Sequence, residues 1–176
     1  MLSHELALAI AVMGVQGSGK TTIGQLLAQN YGVPFVDGDR LHPQRNIALM
    51  ASGQPLSDHD RDPWLRRVGE TFLEQTSAGG IVVACSSLKR SYRDIIREYC
   101  PNIFFVELHA PIALVLERIG SRQHEFMPPS LLQSQYETLQ SLAKDELGLR
   151  VAAELSPADI LALVATAYEL EIEGIS

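Results

Sequence analysis

Short apolar runs alternate with longer amphipathic segments along this chain. Five runs are apolar at consecutive positions, which is the pattern of buried parallel strands. They cover residues 6–13, 35–36, 81–85, 103–108 and, more weakly, 149–152. The spacing of apolar residues predicts helices at 20–31, 60–76 and 89–99, from Pro111 onward and from Ser156 onward. The alternation predicts an α/β fold with three layers and a five-stranded parallel sheet.

Two segments interrupt this alternation. Residues 41–63 are polar and rich in turn formers, and residues 121–129 contain Arg122, His124 and two prolines. Insertions between regular elements commonly carry binding residues. We therefore expect a substrate-binding insert at about 41–63 and a lid at about 121–129. The length of 176 residues fits a single domain that spans residues 1–176.

Composition and charge exclude several classes of protein. Hydrophobic residues make up 46% of the chain and charged residues 20%, so a disordered chain is excluded. The formal net charge is −7, and this excess of negative charge repels a phosphate backbone. We therefore expect no nucleic-acid partner.

The cysteines and the N-terminal residues indicate a location. Two cysteines, Cys85 and Cys100, are too few for a secreted disulfide framework. The apolar run at residues 6–13 is far shorter than the roughly 18 residues of a membrane helix, and no basic segment of a signal peptide precedes it. We expect a cytoplasmic protein with no membrane partner.

The first predicted strand leads directly into GVQGSGKT, which fits the phosphate-loop pattern GxxxxGK[ST] between a strand and a helix. In this pattern the backbone amides surround a polyphosphate, Lys20 reaches its β- and γ-phosphates, and the Thr21 hydroxyl binds Mg²⁺. The alternative is a glycine-rich turn that happens to carry a lysine. The predicted nucleotide-binding residues are Gly14, Val15, Gln16, Gly17, Ser18, Gly19, Lys20 and Thr21.

Two carboxylates, Asp37 and Asp39, follow the second predicted strand. The carboxyl ends of strands face the ligand crevice of such a sheet. Spaced two apart on an extended segment, the two side chains are expected to project from one side. One would orient an acceptor hydroxyl, and the other would hold water molecules of Mg²⁺. An Asp-Gly turn that caps the following helix is an equally weighted alternative.

The segments that follow resemble a known family, the thermoresistant-type gluconate kinases. The resemblance covers nearly the whole chain and five motifs in order. They are the phosphate loop, DGDxLHP at 37–43, GxPLxDxDRxPWL at 53–65, CSxLKRxYRD at 85–94, and an arginine lid that ends in FMPxxLLxSQ at 126–135. The resemblance implies a P-loop kinase fold like that of shikimate and nucleoside monophosphate kinases. It also implies ATP- and Mg²⁺-dependent phosphorylation of D-gluconate at its 6-hydroxyl, and commonly a homodimer.

An acidic sugar needs cationic and polar partners. Arg61 has a planar guanidinium that suits a carboxylate, although a surface ion pair with a neighbouring aspartate is the alternative. His42 could equally be a turn residue, and Trp64 is predicted mainly as packing. Near the start of the helix predicted at 89–99, Lys89 and Arg90 are favoured over Arg93, since these cations cannot all face one pocket. The predicted substrate-binding residues are Asp39, His42, Asn46, Arg61, Lys89 and Arg90.

The lid is predicted from two arginines, Arg118 and Arg122, spaced four apart. Arginines that close over ATP exclude water and offset charge on the transferring phosphoryl group. The alternative is a surface pair on a helix. We assign Lys20, Asp39 and Arg122 as catalytic, Arg118 and Arg122 as ATP-binding, and Thr21 and Asp37 as the metal site, Asp37 through water.

The family pattern is broken at two positions. Leu49 stands where a lysine is usual, and Glu125, rather than a histidine, directly precedes Phe126. These departures leave two alternatives open. One is a kinase of another sugar acid or of a shikimate-like acceptor, and the other is a nucleotide-binding module with impaired catalysis.

Overall fold

The centre of the protein is a five-stranded sheet in which every pair of neighbouring strands is parallel. The computed structural model describes residues 7–120 and 129–175. The strands are β1 Leu8–Met13, β2 Phe35–Asp37, β3 Gly80–Ala84, β4 Phe104–His109 and β5 Gly148–Ala152, in the spatial order β2-β3-β1-β4-β5. The predicted α/β fold is therefore confirmed.

Helices cover both faces of the sheet. They are α1 Lys20–Tyr31, α2 Gln44–Ala51, α3 Asp58–Thr76, α4 Arg90–Arg97, α5 Ile112–Gly120, α6 Pro129–Thr138 and α7 Pro157–Ile175. Helix α3 begins earlier than predicted because Ser57 and Asp60 form a capping box at its N-terminus. None of the helices in the described part of the chain is long and apolar enough to cross a membrane.

The core consists of two apolar layers, one on each face of the sheet. Alternate residues of the central strand β1 face opposite layers. Ile10 and Val12 of β1 face one layer, where they pack with residues of α1 and α7 such as Leu27 and Val164. Ala11 faces the other layer, formed with α3 and α4. Successive side chains of a strand point to opposite faces, so a buried central strand is apolar throughout.

The predicted insert is more regular than expected. Residues 38–41 form a 3-10 turn, and the insert contains helix α2 and the first residues of α3. Helix α6, which the sequence pattern did not predict, begins at Pro129. Residues 121–128 of the predicted lid, including Arg122, lie outside the described residues.

Candidate active site

The phosphate loop joins β1 to α1 and depends on glycine. At Gly14, φ is 142°, and a Cβ would lie 2.8 Å from the Leu108 carbonyl oxygen and 2.9 Å from Ser18 Oγ. Gly19 is the N-cap of α1 and offers no side-chain cap. The N–H groups of the first turn of α1 are therefore available to an anion, which the helix dipole also favours.

Lys20 is the first residue of α1, and its Nζ donates a hydrogen bond to the Val15 carbonyl at 3.0 Å. The loop is also tied to the end of β3, because the Gly14 N–H donates to the Ser86 carbonyl at 3.3 Å. The lysine side chain therefore lies along the phosphate loop, where its amine is predicted to bind phosphate.

The loop and the two predicted carboxylates line one cavity of about 100 Å³. Its walls are Gln16, Gly17, Gly19, Lys20, Thr21, Thr22, Asp37, Asp39 and Ala84. The loop groups that donate hydrogen bonds to a polyphosphate and the two carboxylates thus lie together at the carboxyl edge of the sheet, as the topology of parallel strands requires. The cavity can accommodate phosphate oxygens together with an acceptor hydroxyl.

Asp37 and Asp39 do not project from one side of an extended segment, so that prediction is wrong. Asp37 ends β2, and its Oδ1 accepts a hydrogen bond from the Asp39 N–H at 3.1 Å. Asp39 lies in the 3-10 turn that Asp37 caps. The two carboxylates share the cavity because the turn folds the chain back, so Asp37 both caps a turn and lines the site.

The turn is fixed at Gly38, the residue between the two carboxylates. A Cβ at Gly38 would lie 2.6 Å from the Ala84 carbonyl oxygen, so the turn approaches β3 more closely than a side chain allows. On the other side the indole Nε1 of Trp64 donates to the Gly38 carbonyl at 2.8 Å. Trp64 is 1% exposed, which agrees with its predicted packing role.

His42 packs against Trp64, and Asn46 contacts His42. The His42 ring stacks on Trp64, with centroids 4.1 Å apart. The Asn46 amide nitrogen lies 3.2 Å from His42 Nδ1 and donates to the Asp60 carbonyl at 2.8 Å. Burial, helped by the nearby positive charge of Arg61, lowers the pKa of His42 to about 4. The imidazole is therefore neutral at pH 7, and its predicted contact with substrate stays a prediction.

Two of the predicted substrate cations gather around Tyr92 at the start of α4. Lys89 Nζ lies 2.9 Å from both carboxylate oxygens of Asp58, and the Tyr92 hydroxyl also donates to Asp58. The bonds from Tyr92 and Lys89 lower the pKa of Asp58. The Arg61 guanidinium donates to the Leu56 carbonyl and lies 3.4 Å from the Tyr92 hydroxyl. The Asp58 carboxylate of the protein itself thus already pairs with Lys89, one of the cations predicted to bind the substrate.

Arg90 is oriented elsewhere. Its guanidinium bonds both oxygens of Asp145, at 2.9 and 2.7 Å. The structure therefore does not bring Arg90 together with Arg61 and Lys89. A substrate contact from Arg90, which stays a prediction, would require release from Asp145.

Arg93 is fully buried and structural. Its guanidinium bonds Glu146 at 2.6 and 2.7 Å and donates to the Ser87 and Gln140 carbonyls at 3.0 Å each. Burial raises the pKa of Glu146, but hydrogen bonds from Arg93 and Arg97 outweigh this and lower it to about 2. Arg93 therefore holds the end of β3 against the segment before β5.

A second cavity of about 260 Å³ lies on the other side of the loop. It is lined by Ser18, Gly19, Thr22, Ile23, Arg118, Ala153, Leu155, Pro157 and Ile160. Arg118 donates to the Ser18 carbonyl at 3.0 Å and to the Ala153 carbonyl at 2.7 Å. A largely apolar cavity beside a phosphate loop suits a nucleoside base. The cavity residues that follow β5 were not predicted from the sequence, although they come directly after a predicted strand.

The site contains oxygen donors that suit Mg²⁺. The Thr21 hydroxyl and the Asp37 carboxylate belong to residues of one cavity. Within residues 7–120 and 129–175 there is no group of three or more His, Cys, Asp or Glu side chains that could hold a metal ion. Mg²⁺ usually keeps several waters and takes other ligands from phosphates, so this sparse donor set fits an ion that arrives with a nucleotide.

Comparison with known proteins identifies the family. The shikimate kinase family matches residues 16–157. The gluconokinase of Gluconobacter oxydans is 42% identical over 167 residues, which cover 92% of this chain and 94% of that protein. The chain belongs to the gluconokinase family. The resemblance found in the sequence motifs is thereby confirmed.

Two solved structures are similar along nearly their whole length. A sugar kinase from Janibacter sp. HTCC2649 has a TM-score of 0.88 at 40% identity, covering 93% of this chain and 95% of that one. A gluconokinase from Sinorhizobium meliloti 1021 has a TM-score of 0.84 at 42% identity, covering 94% of each chain. The P-loop kinase fold is therefore shared with gluconokinases along the whole sheet.

Proposed function

We propose that the protein transfers the γ-phosphoryl group of ATP to the 6-hydroxyl of D-gluconate, giving 6-phospho-D-gluconate and ADP. The observation that carries the proposal is the single cavity lined by the phosphate loop, Asp37 and Asp39. Relatives named gluconokinase, at 40 to 45% identity, support the acceptor.

The roles at the phosphate side follow from position. Lys20 and the loop amides hold the β- and γ-phosphates, and their fixed dipoles stabilise charge on the transferring group. Thr21 and, through water, Asp37 would hold Mg²⁺, which when bound offsets phosphate charge. Asp39 orients the 6-hydroxyl and accepts its proton. Arg118 contacts ATP from the second cavity.

The acceptor carboxylate binds at the cluster of Arg61 and Lys89. The Lys89–Asp58 ion pair has side-chain exposures of 30% and 64%. Exposed ion pairs contribute little to stability, so a substrate carboxylate can replace Asp58 at low cost. His42, Asn46 and Arg90 complete the proposed substrate residues.

Several further features of the proposal rest on the sequence alone. They are a cytoplasmic homodimer, one domain over residues 1–176 with its insert and lid, and Arg122 as a lid arginine that stabilises the transferring phosphoryl group. Size-exclusion chromatography with light scattering tests the dimer, and Arg122→Ala tests the lid through a fall in kcat larger than the change in ATP affinity.

A coupled ADP-release assay with MgATP tests the activity. The acceptors are D-gluconate, other aldonic acids, shikimate and nucleoside monophosphates, and ³¹P and ¹³C spectra of the product locate the phosphate. We expect turnover with gluconate and phosphorylation at carbon 6. Turnover of shikimate or a nucleotide without any sugar acid would refute the proposal. Lys20→Ala, with unchanged circular dichroism, is the control for contaminating kinases.

A further inference from the structure

A hydrogen bond connects the phosphate loop to helix α6. The backbone N–H of Gln16 donates to Oε1 of Gln135 at 2.7 Å, across 119 residues of sequence. Because the partner is a peptide N–H, the oxygen of the carboxamide must face the loop.

Helix α6 is a firm support for this side chain. Leu131 and Leu132, at its N-terminal end, are 7% and 2% exposed. The Tyr136 hydroxyl, next to Gln135, donates to the Ala110 carbonyl at 2.8 Å, in the connection after β4. The position of Gln135 is thus set by packing against the core rather than by the side chain alone.

The bond holds the middle of the phosphate loop. The start of the loop is tied to β3 through Ser86, and its later part is tied to α5 through Arg118 and Ser18. Gln16 lies between these points and lines the phosphate cavity. The direction of each loop amide determines whether it points at a phosphate oxygen, and small misalignments are costly in catalysis.

We propose that Gln135 is a positioning residue for phosphoryl transfer, which fixes the Gln16 peptide and thereby the phosphate-facing part of the loop. It acts through Gln16 and need not touch the substrate. The kinetic part of this inference rests on the proposed function, whereas the part about loop geometry does not.

The variant Gln135→Met tests the proposal because methionine keeps the length and helix propensity of glutamine but has no oxygen acceptor. Gln133→Met is the matched control, since Gln133 is exposed on the same helix and its amide bonds Glu137, at 3.0 Å. The measurements are amide exchange at Gln16 by NMR, ADP affinity by calorimetry, and kcat and KM with ATP and gluconate.

We expect Gln135→Met to speed exchange at Gln16 and to lower kcat by about 10-fold, the worth of one hydrogen bond to a partly buried group. The gluconate KM should stay within about 2-fold, because Gln135 acts on the loop rather than on acceptor binding. Gln133→Met should change none of these quantities. Unchanged exchange at Gln16, or equal kcat in the two variants, would overturn the proposal.

A second variant covers a loss of folding. If Gln135→Met lowers the melting temperature more than Gln133→Met does, Gln135→Glu is used, because it keeps an acceptor oxygen at the same reach. The proposal requires Gln135→Glu to preserve slow exchange at Gln16, and fast exchange there would overturn it. If the wild-type protein were inactive on gluconate, the proposed acceptor would be refuted. Amide exchange at Gln16 would still decide whether Gln135 positions the phosphate loop.

Discussion

Replacing Trp64 by phenylalanine should impair catalysis from outside the cavity. The Trp64 indole donates to the Gly38 carbonyl at 2.8 Å, and Gly38 separates the two carboxylates of the site. Phenylalanine keeps an aromatic ring against His42 but removes this donor. The Gly38 carbonyl would then be buried without the indole N–H, and the turn that carries Asp39 would lose the restraint that this bond supplies.

The size of the effect follows from burial. Leaving a buried carbonyl without its partner costs about 1–3 kcal/mol, and the smaller ring leaves a void, so the free energy of unfolding should fall by roughly 2–4 kcal/mol. A shift of about 1 Å in a catalytic group costs up to about 10²-fold in rate. We therefore expect kcat to fall by about 10- to 100-fold.

The assay is ADP release with gluconate at a temperature where the variant is folded, together with ADP binding by calorimetry. ADP affinity should be unchanged, because the bond that is removed belongs to the turn after β2 and not to the phosphate loop. Phe72→Leu is the control, since Phe72 lies on α3 in the same buried apolar layer and this swap removes buried volume without removing a hydrogen bond. If Trp64→Phe keeps kcat within about 2-fold, or if Phe72→Leu lowers it equally, the support role is refuted.

Three further predictions concern charged and titratable groups of the site. Asp39→Asn should lower kcat by about 10²- to 10⁴-fold with little effect on ATP KM, whereas Asp37→Asn should raise the Mg²⁺ concentration needed for half-maximal rate; exchanged phenotypes in steady-state kinetics would mean exchanged roles. Lys89→Met should raise the gluconate KM by about 10-fold or more at constant ATP KM, and equal changes in both KM values would contradict a carboxylate contact. The pKa of His42 is lowered from 6.5 to about 4 in the folded protein, so the unfolded chain binds the proton first. Stability from the neutral ring is complete above about pH 6.5 and decreases towards pH 4 by up to about 3 kcal/mol, and urea unfolding of His42→Asn should lack that slope.

The sheet could be predicted because buried parallel strands are apolar at every position. Helix α2 appeared in the sequence only as the helix that an Asp-Gly turn would cap, because its buried residue is Asn46 and Ile47 is 42% exposed. When the buried residue of a helix is polar and its isoleucine faces solvent, the spacing of apolar residues does not show which face packs against the core. Its position depends instead on the contacts of Asn46 with His42 and Asp60, which only the folded chain brings together.

The phosphate loop is local in sequence, so its geometry could be predicted from consecutive residues. The partners of the basic residues in the fourth helix could not, because they lie far along the chain. Arg93 bonds Glu146 at a separation of 53 residues, and Arg90 bonds Asp145 at 55. A run of cations near a strand end predicts an anion site, but it does not tell which cations are already neutralised by the protein itself.

The distribution of charge resolves an apparent conflict between a chain of net charge −7 and the two anionic substrates proposed for it. Three of the 21 acidic residues are paired on the exposed surface of α3, where Arg66 bonds Asp62 and Arg67 bonds Glu70 and Glu74. The carboxyl edge of the sheet instead collects the amine of Lys20, the guanidinium of Arg118 and the N-terminus of α1. Binding of small anions depends on this local field, whereas a long polyanion such as nucleic acid would meet the acidic surface as well.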